Sequence, residues 1–223
     1  MRYALSRLLF VVLLFCVVNL ACGAGEPEQR IKDLAELAEK GDGPSQFKLA
    51  LAYDESGNSE LAVVWLRKAA ERGYVQAAVE LGVKLIMGGG APNDEKQAVK
   101  WFRMAAEHGD APAQYDLASC YVSGKGVSRN FEKAAQWGRV SAEQHYPDAE
   151  YMMGVLYGRG DGVPQDYVKS FEWVSMAAAH GHVQAKRSLE TLKGMMTPAQ
   201  IVRARKHADT GSAVAHSRKQ VDD

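Results

Sequence analysis

The sequence predicts an all-α solenoid of helix-turn-helix repeats, and three observations carry that prediction. Trp65, Trp101, Trp137 and Trp173 recur at a spacing of 36 residues. A phrase travels with them: Ala62-x-x-Trp65-Leu66-x-x-Ala69-Ala70, then Ala98-x-x-Trp101-Phe102-x-x-Ala105-Ala106. The third copy is Ala134-x-x-Trp137-Gly138-x-x-Ser141-Ala142 and the fourth Ser170-x-x-Trp173-Val174-x-x-Ala177-Ala178. Asn58, Asp94, Asn130 and Asp166 keep the same 36-residue spacing. Self-similarity at such a period marks a repeat array, in which no unit buries its apolar face alone and stability comes from stacking.

The elements follow in chain order. Arg2 and Arg7 precede an uninterrupted apolar run of 11 residues, Leu8 to Val18, followed by the small residues Ala21, Cys22, Gly23 and Ala24. A run of 11 is short for a membrane span, which needs roughly 20 residues, and the pattern is that of a cleavable secretory signal over residues 1–24. The same stretch, Asn19-Leu20-Ala21-Cys22, resembles a bacterial lipobox in which Cys22 would be lipidated, with Asn in place of the usual Leu. Export to the periplasm or the medium is expected, with a lipid anchor in the envelope as the alternative.

Residues 25–40 are expected to hold an N-terminal capping helix, because Leu34, Leu37 and Ala38 stand where Leu66, Ala69 and Ala70 stand before a closing glycine. The repeat region covers 41–194, with units at 43–72, 73–108, 109–144 and 145–180 and a half unit at 181–194. Each unit begins with a helix A whose apolar residues lie four apart: Leu49…Tyr53, Leu81…Leu85, Leu117…Tyr121 and Met153…Tyr157. The turns Gly88-x-Gly90, Gly124-x-Gly126 and Gly160-x-Gly162 lead to helix B. Asn58, Asp94, Asn130 and Asp166 are placed to cap helix B by accepting from an orphan backbone amide. Gly73, Gly109 and Gly181 end it; His145 takes that place in the third copy and predicts strain there.

Alanine and glycine at facing positions are expected to let the two helices of a unit approach closely. The tryptophans, with leucine and phenylalanine, are expected to fill the space between units. Thr197-Pro198-Ala199-Gln200 starts a last helix, 195–208, in which threonine caps, proline suits the first turn and glutamine reaches back. Residues 209–223 lack periodicity and read as a loose tail.

The phrase, the G-x-G turn and the acidic cap, as in Gly124-Lys125-Gly126-Val127…Asn130…Lys133-Ala134, are similar to those of Sel1-like repeats, relatives of the tetratricopeptide repeat. The likeness covers about residues 41–194. It implies a right-handed α/α superhelix whose concave face binds proteins, with members acting as adaptors in the bacterial envelope or toward host cells. A subgroup carries one disulfide per repeat, and this chain lacks those cysteines. By phase, the residues two before and two after the helix A leucine should line the inner face: Phe47 and Leu51, Val79 and Val83, Tyr115 and Ser119, Tyr151 and Val155. Arg159 joins them from its helix end. An alternative stays open for the aromatics, which would simply pack between units.

Other chemistry finds little support. With 27 basic and 27 acidic residues, nucleic acid is not an expected partner, and a membrane is expected only if Cys22 is lipidated. Ser45-x-x-Lys48 matches a nucleophile motif without its companion motifs. Cys120 lies in a helical pattern and reads as a small buried hydrophobe. His180-Gly181-His182 suggests a metal, yet no third ligand stands nearby at a sensible spacing. No catalytic residue, cofactor or metal is expected, and the partner expected is an envelope or secreted protein. The reading from a different class is an envelope hydrolase or a glycan-binding protein acting on cell-wall or exopolysaccharide material.

Overall fold

A computed structural model of the chain describes residues 28–206. The expected signal, Cys22 and the tail from 209 on lie outside the described residues. The chain divides into two compact units, Met1–Asn93 and Asp94–Asp223. In the first, α1 (28–39) is followed by α2 (Gly43–Glu55), α3 (Ser59–Glu71) and α4 (Val75–Met87). The second holds α5 (Glu95–Glu107), α6 (Ala111–Ser123), α7 (Phe131–Ala142), α8 (Pro147–Arg159), α9 (Tyr167–Ala179), α10 (Ala185–Met195) and α11 (198–206). Every described element is helical, and within each unit successive helices pack on one another.

Local chemistry sets the helix starts. The side chains of Asn58, Asp94 and Asn130 accept from the amides of Leu61, Gln97 and Lys133 at 3.2, 3.0 and 2.9 Å. Asp166 accepts from Val168 and Lys169. Gly73, Gly109 and Gly181 all have positive φ, and His145 shares that conformation at φ 62°, the only non-glycine to do so among the described residues. The second glycine of each G-x-G turn has a different reason. A Cβ on Gly126 would fall on the backbone carbonyl of Glu95, and one on Gly162 on that of Phe131. Within the second unit, then, the turn after one helix A sits directly on the first residue of the preceding helix B.

Packing follows from the small residues. In α5 the buried stripe is Ala98, Val99, Phe102, Ala105 and Ala106, the i, i+4, i+7, i+8 pattern of an amphipathic helix. Ser170, standing where the other copies have alanine, donates its hydroxyl to the Gly154 carbonyl at 2.6 Å, and Gly154 itself lies against Val174. The tryptophans meet the expectation in part. All four are half-buried, and the residue after each, Leu66, Phe102, Gly138 or Val174, holds the buried position. Trp173 packs from the side onto the cluster around Met153 and Tyr157. The indole is too long to point straight into a seam lined by alanines, so it lies along the flank. Where the third repeat has Gly138, the sulfurs of Met153 and Met152 approach that position to 3.3 and 3.5 Å.

Two hydrogen bonds repeat along the second unit. Arg103 donates to the Tyr121 hydroxyl and Arg139 to the Tyr157 hydroxyl, each at 2.8 Å, so that a buried ring keeps its polar end paired. The chain end closes with Thr197 and Gln200 bonding reciprocally, and Met196 and Ala204 are buried against α9 and α10.

Candidate functional site

Helix α8 shows how the inner-face residues are placed. Pro147 opens it, Gly160 closes it at φ 77°, and its buried stripe is Ala149, Glu150, Met153, Gly154, Leu156 and Tyr157. Tyr151, Val155 and Arg159, four apart, fall beside that stripe rather than in it. They line one groove of 260 Å³, floored by Ser170 and Val174 of α9 and walled by Ser188, Thr191, Leu192 and Met195 of α10. Arg159 is exposed and its guanidinium makes no ion pair among the described residues.

In the same phase, Tyr115 and Ser119 lie half-buried on α6 of this unit. In the first unit Phe47, Val79 and Val83 are half-buried and Leu51 is 38% exposed. The aromatics have packing roles. The Phe47 ring lies 5.2 Å from Tyr74, Tyr115 lies 5.5 Å from Tyr146, and Tyr151 stacks on His182 at 4.1 Å. Each therefore leans on the residue that precedes the next helix A, and Tyr151 also shares a hydrogen bond with Ser188 at 2.9 Å.

Beneath Tyr115 and Tyr146 the second unit gathers acids. Burial, with Asp110 and Asp148 nearby, pushes the Asp116 carboxyl up to about 6 from an ordinary 3.8. Burial and the same kind of negative surroundings push the Tyr146 phenol up to about 12. For a carboxyl raised on folding, the native state holds its proton more tightly. The stabilisation is complete below the unfolded value and is lost as pH rises through about 6. Asp116→Asn should therefore raise stability near pH ~7.5 by about 1–2 kcal/mol, a bound of ~3 discounted for the remaining exposure. Urea unfolding across pH should show the gain vanish below pH ~4; a pH-independent gain would mean that the carboxylate's charge is not the cause.

Burial pushes the Cys120 thiol up to about 11, which leaves little thiolate for nucleophilic chemistry. At the other end of α8 the fold assembles what the sequence keeps apart. The Glu150 carboxylate, 0% exposed, lies 2.8 and 2.9 Å from His180 Nδ1, and His145 Nδ1 is 3.5 Å away. His182, the other half of His180-Gly181-His182, instead faces Asp148 at 3.4 Å. The acidic partner of His180 thus stands 30 residues before it, at Glu150. The signal for it was present in the repeat alignment, which puts His at a glycine position and Glu at a glutamine position.

Comparison with known proteins agrees with this architecture. The sequence model of the Sel1 repeat matches residues 43–74, 75–110, 111–146 and 147–182. The chain is similar to c5321, a protective antigen present in uropathogenic Escherichia coli strains that displays an SLR fold. Identity is 30% and TM-score 0.75, over 85% of this chain and 43% of that one. It is also similar to a Sel1 repeat protein from Oxalobacter formigenes, at 32% identity and TM-score 0.66, over 71% of this chain and 65% of that one. The chain thus spans less than two thirds of the length of either relative. Comparison with curated proteins gives no match. Four matched repeats, two relatives of the same kind and consecutive packed helix pairs lead to one conclusion: the chain belongs to the Sel1 repeat family.

Proposed function

We propose that the chain is an exported, non-catalytic adaptor that holds a segment of an envelope or secreted protein in the groove formed by α8, α9 and α10. Sel1 repeats are in general scaffolds for protein–protein interaction, which supports this reading. The observation that carries the reading is the convergence of Tyr151, Val155 and Arg159 on one groove, with an exposed guanidinium at the rim and apolar walls below. That combination suits an extended segment presenting an apolar side chain next to a carboxylate. The basic and apolar leader supports export, as does the likeness to a protective antigen of a pathogen. No helix among the described residues is long and apolar enough to cross a membrane.

The test is crosslinking affinity capture from the native envelope fraction, read by mass spectrometry, with Arg159→Glu as the control. That substitution changes an exposed side chain and leaves the Tyr151–His182 stack intact. One protein should be enriched by the wild type and bound more than about tenfold more weakly by the variant. Retention on cell wall or polysaccharide, with no protein partner, would overturn the adaptor reading in favour of glycan binding.

A further inference from the structure

We propose that His145, Glu150 and His180 form a binding site for a single divalent transition metal of the zinc class. Their ligand atoms all lie within 4.8 Å of one another. A tetrahedral ion with bonds of 2.0–2.1 Å separates its ligands by roughly 3.3 Å, so small side-chain adjustments suffice. The observed separations of Glu150 from the two imidazoles, 2.8 and 3.5 Å, already bracket that spacing. Two imidazoles and one carboxylate are a donor set that zinc accepts, with a fourth position left for water.

The repeat itself supplies the independent argument. In the preceding repeats the position of Glu150 is held by Gln46, Ala78 and Gln114. Gln114 donates to the Ala106 carbonyl at 3.1 Å and accepts from Gln144, the counterpart of His180, at 2.7 Å. In the third repeat a pair of neutral amides thus fills that buried position. In the fourth repeat the buried amide becomes a carboxylate, its amide partner becomes an imidazole, and the neighbouring glycine position becomes a second imidazole. A fully buried carboxylate with no lysine or arginine beside it among the described residues needs a compensating positive charge. His145 keeps the left-handed backbone of that helix end, φ 62°, without being glycine, strain of the kind retained at functional sites.

The side chains of His145 and His180 are 57% and 37% exposed, so an ion can enter from solvent and reach the carboxylate below. Bound there, it would tie the α7–α8 connection to the end of α9, clamping the last full repeat.

The test titrates the untagged chain with Zn²⁺ by calorimetry and with Co²⁺ by visible absorption. One equivalent should bind, and Co²⁺ should give the intense visible bands of a four-coordinate ion. Glu150→Gln, His180→Gln and His145→Gly each install the residue found at that position in a sister repeat, so folding is protected and circular dichroism should confirm it. Each should weaken binding by at least about 10–100-fold, the cost already seen for losing a hydrogen-bonded neighbour of a ligand. His108→Ala, at the equivalent helix end of an earlier repeat, should leave affinity unchanged. Absence of uptake by the wild type, or equal uptake by the triple variant, would overturn the proposal.

Discussion

Phe102→Ala is expected to destabilise the Asp94–Asp223 unit by about 3–5 kcal/mol, the cost of deleting a buried aromatic side chain. Phe102 is 3% exposed and is the largest member of the α5 stripe, whose other members are three alanines and Val99. Side chains that small cannot swing in to close the cavity, so the loss should sit toward the upper end of the range. In a repeat stack each element is stabilised by its neighbours, so the deletion weakens the packing of α5 on α6 as well. Trp101→Ala, one residue earlier, should cost distinctly less, because that ring keeps a solvent-facing side. Urea unfolding of the two variants compares them directly. If Trp101→Ala proves the more damaging, the buried role belongs to the tryptophan after all. The third repeat shows how the space can be filled otherwise: it has Gly138 at the position of Phe102, and two methionine sulfurs approach from α8.

The second large effect is expected at a turn. Gly126→Ala should cost about 2–5 kcal/mol, from two sources of similar size. A positive φ of 68° costs an L-residue about 1–2 kcal/mol, and forcing a methyl into occupied space adds about 1–3. The space is occupied by the Glu95 carbonyl, whose backbone cannot rotate away, and by Val99 Cγ2 at 3.0 Å. Glu95 also accepts from the Gly126 amide through its carboxylate at 3.1 Å, so displacing the turn breaks a further contact. Gly124→Ala is the matched control, with φ 80° and its closest neighbour, Arg129 Cβ, at 3.5 Å. It should show the backbone cost alone. Thermal and urea unfolding of the pair would separate strain from close approach, and equal losses would mean that the turn does not need to touch α5.

These two variants also mark where reading the chain sufficed and where it did not. The caps at Asn58, Asp94, Asn130 and Asp166, the glycines at helix ends and the strain at His145 are decided within a few residues. Hydrogen-bond reach and φ/ψ sterics act locally, so spacing along the sequence was enough to place them. The 36-residue period likewise declared the helix pair and its repetition, because only stacked copies can bury such faces. Tertiary packing alone decided which member of each Trp–(Leu, Phe, Gly, Val) pair enters the seam, since that depends on how closely the alanine-lined helices approach. It also decided that Phe47, Tyr115 and Tyr151 lean on the next repeat. His145, Glu150 and His180 are separated by 5 and 30 residues and meet only because α8 packs against α9. Such a constellation is a property of distance in space, to which a local pattern of residue types is blind until the helices are in place.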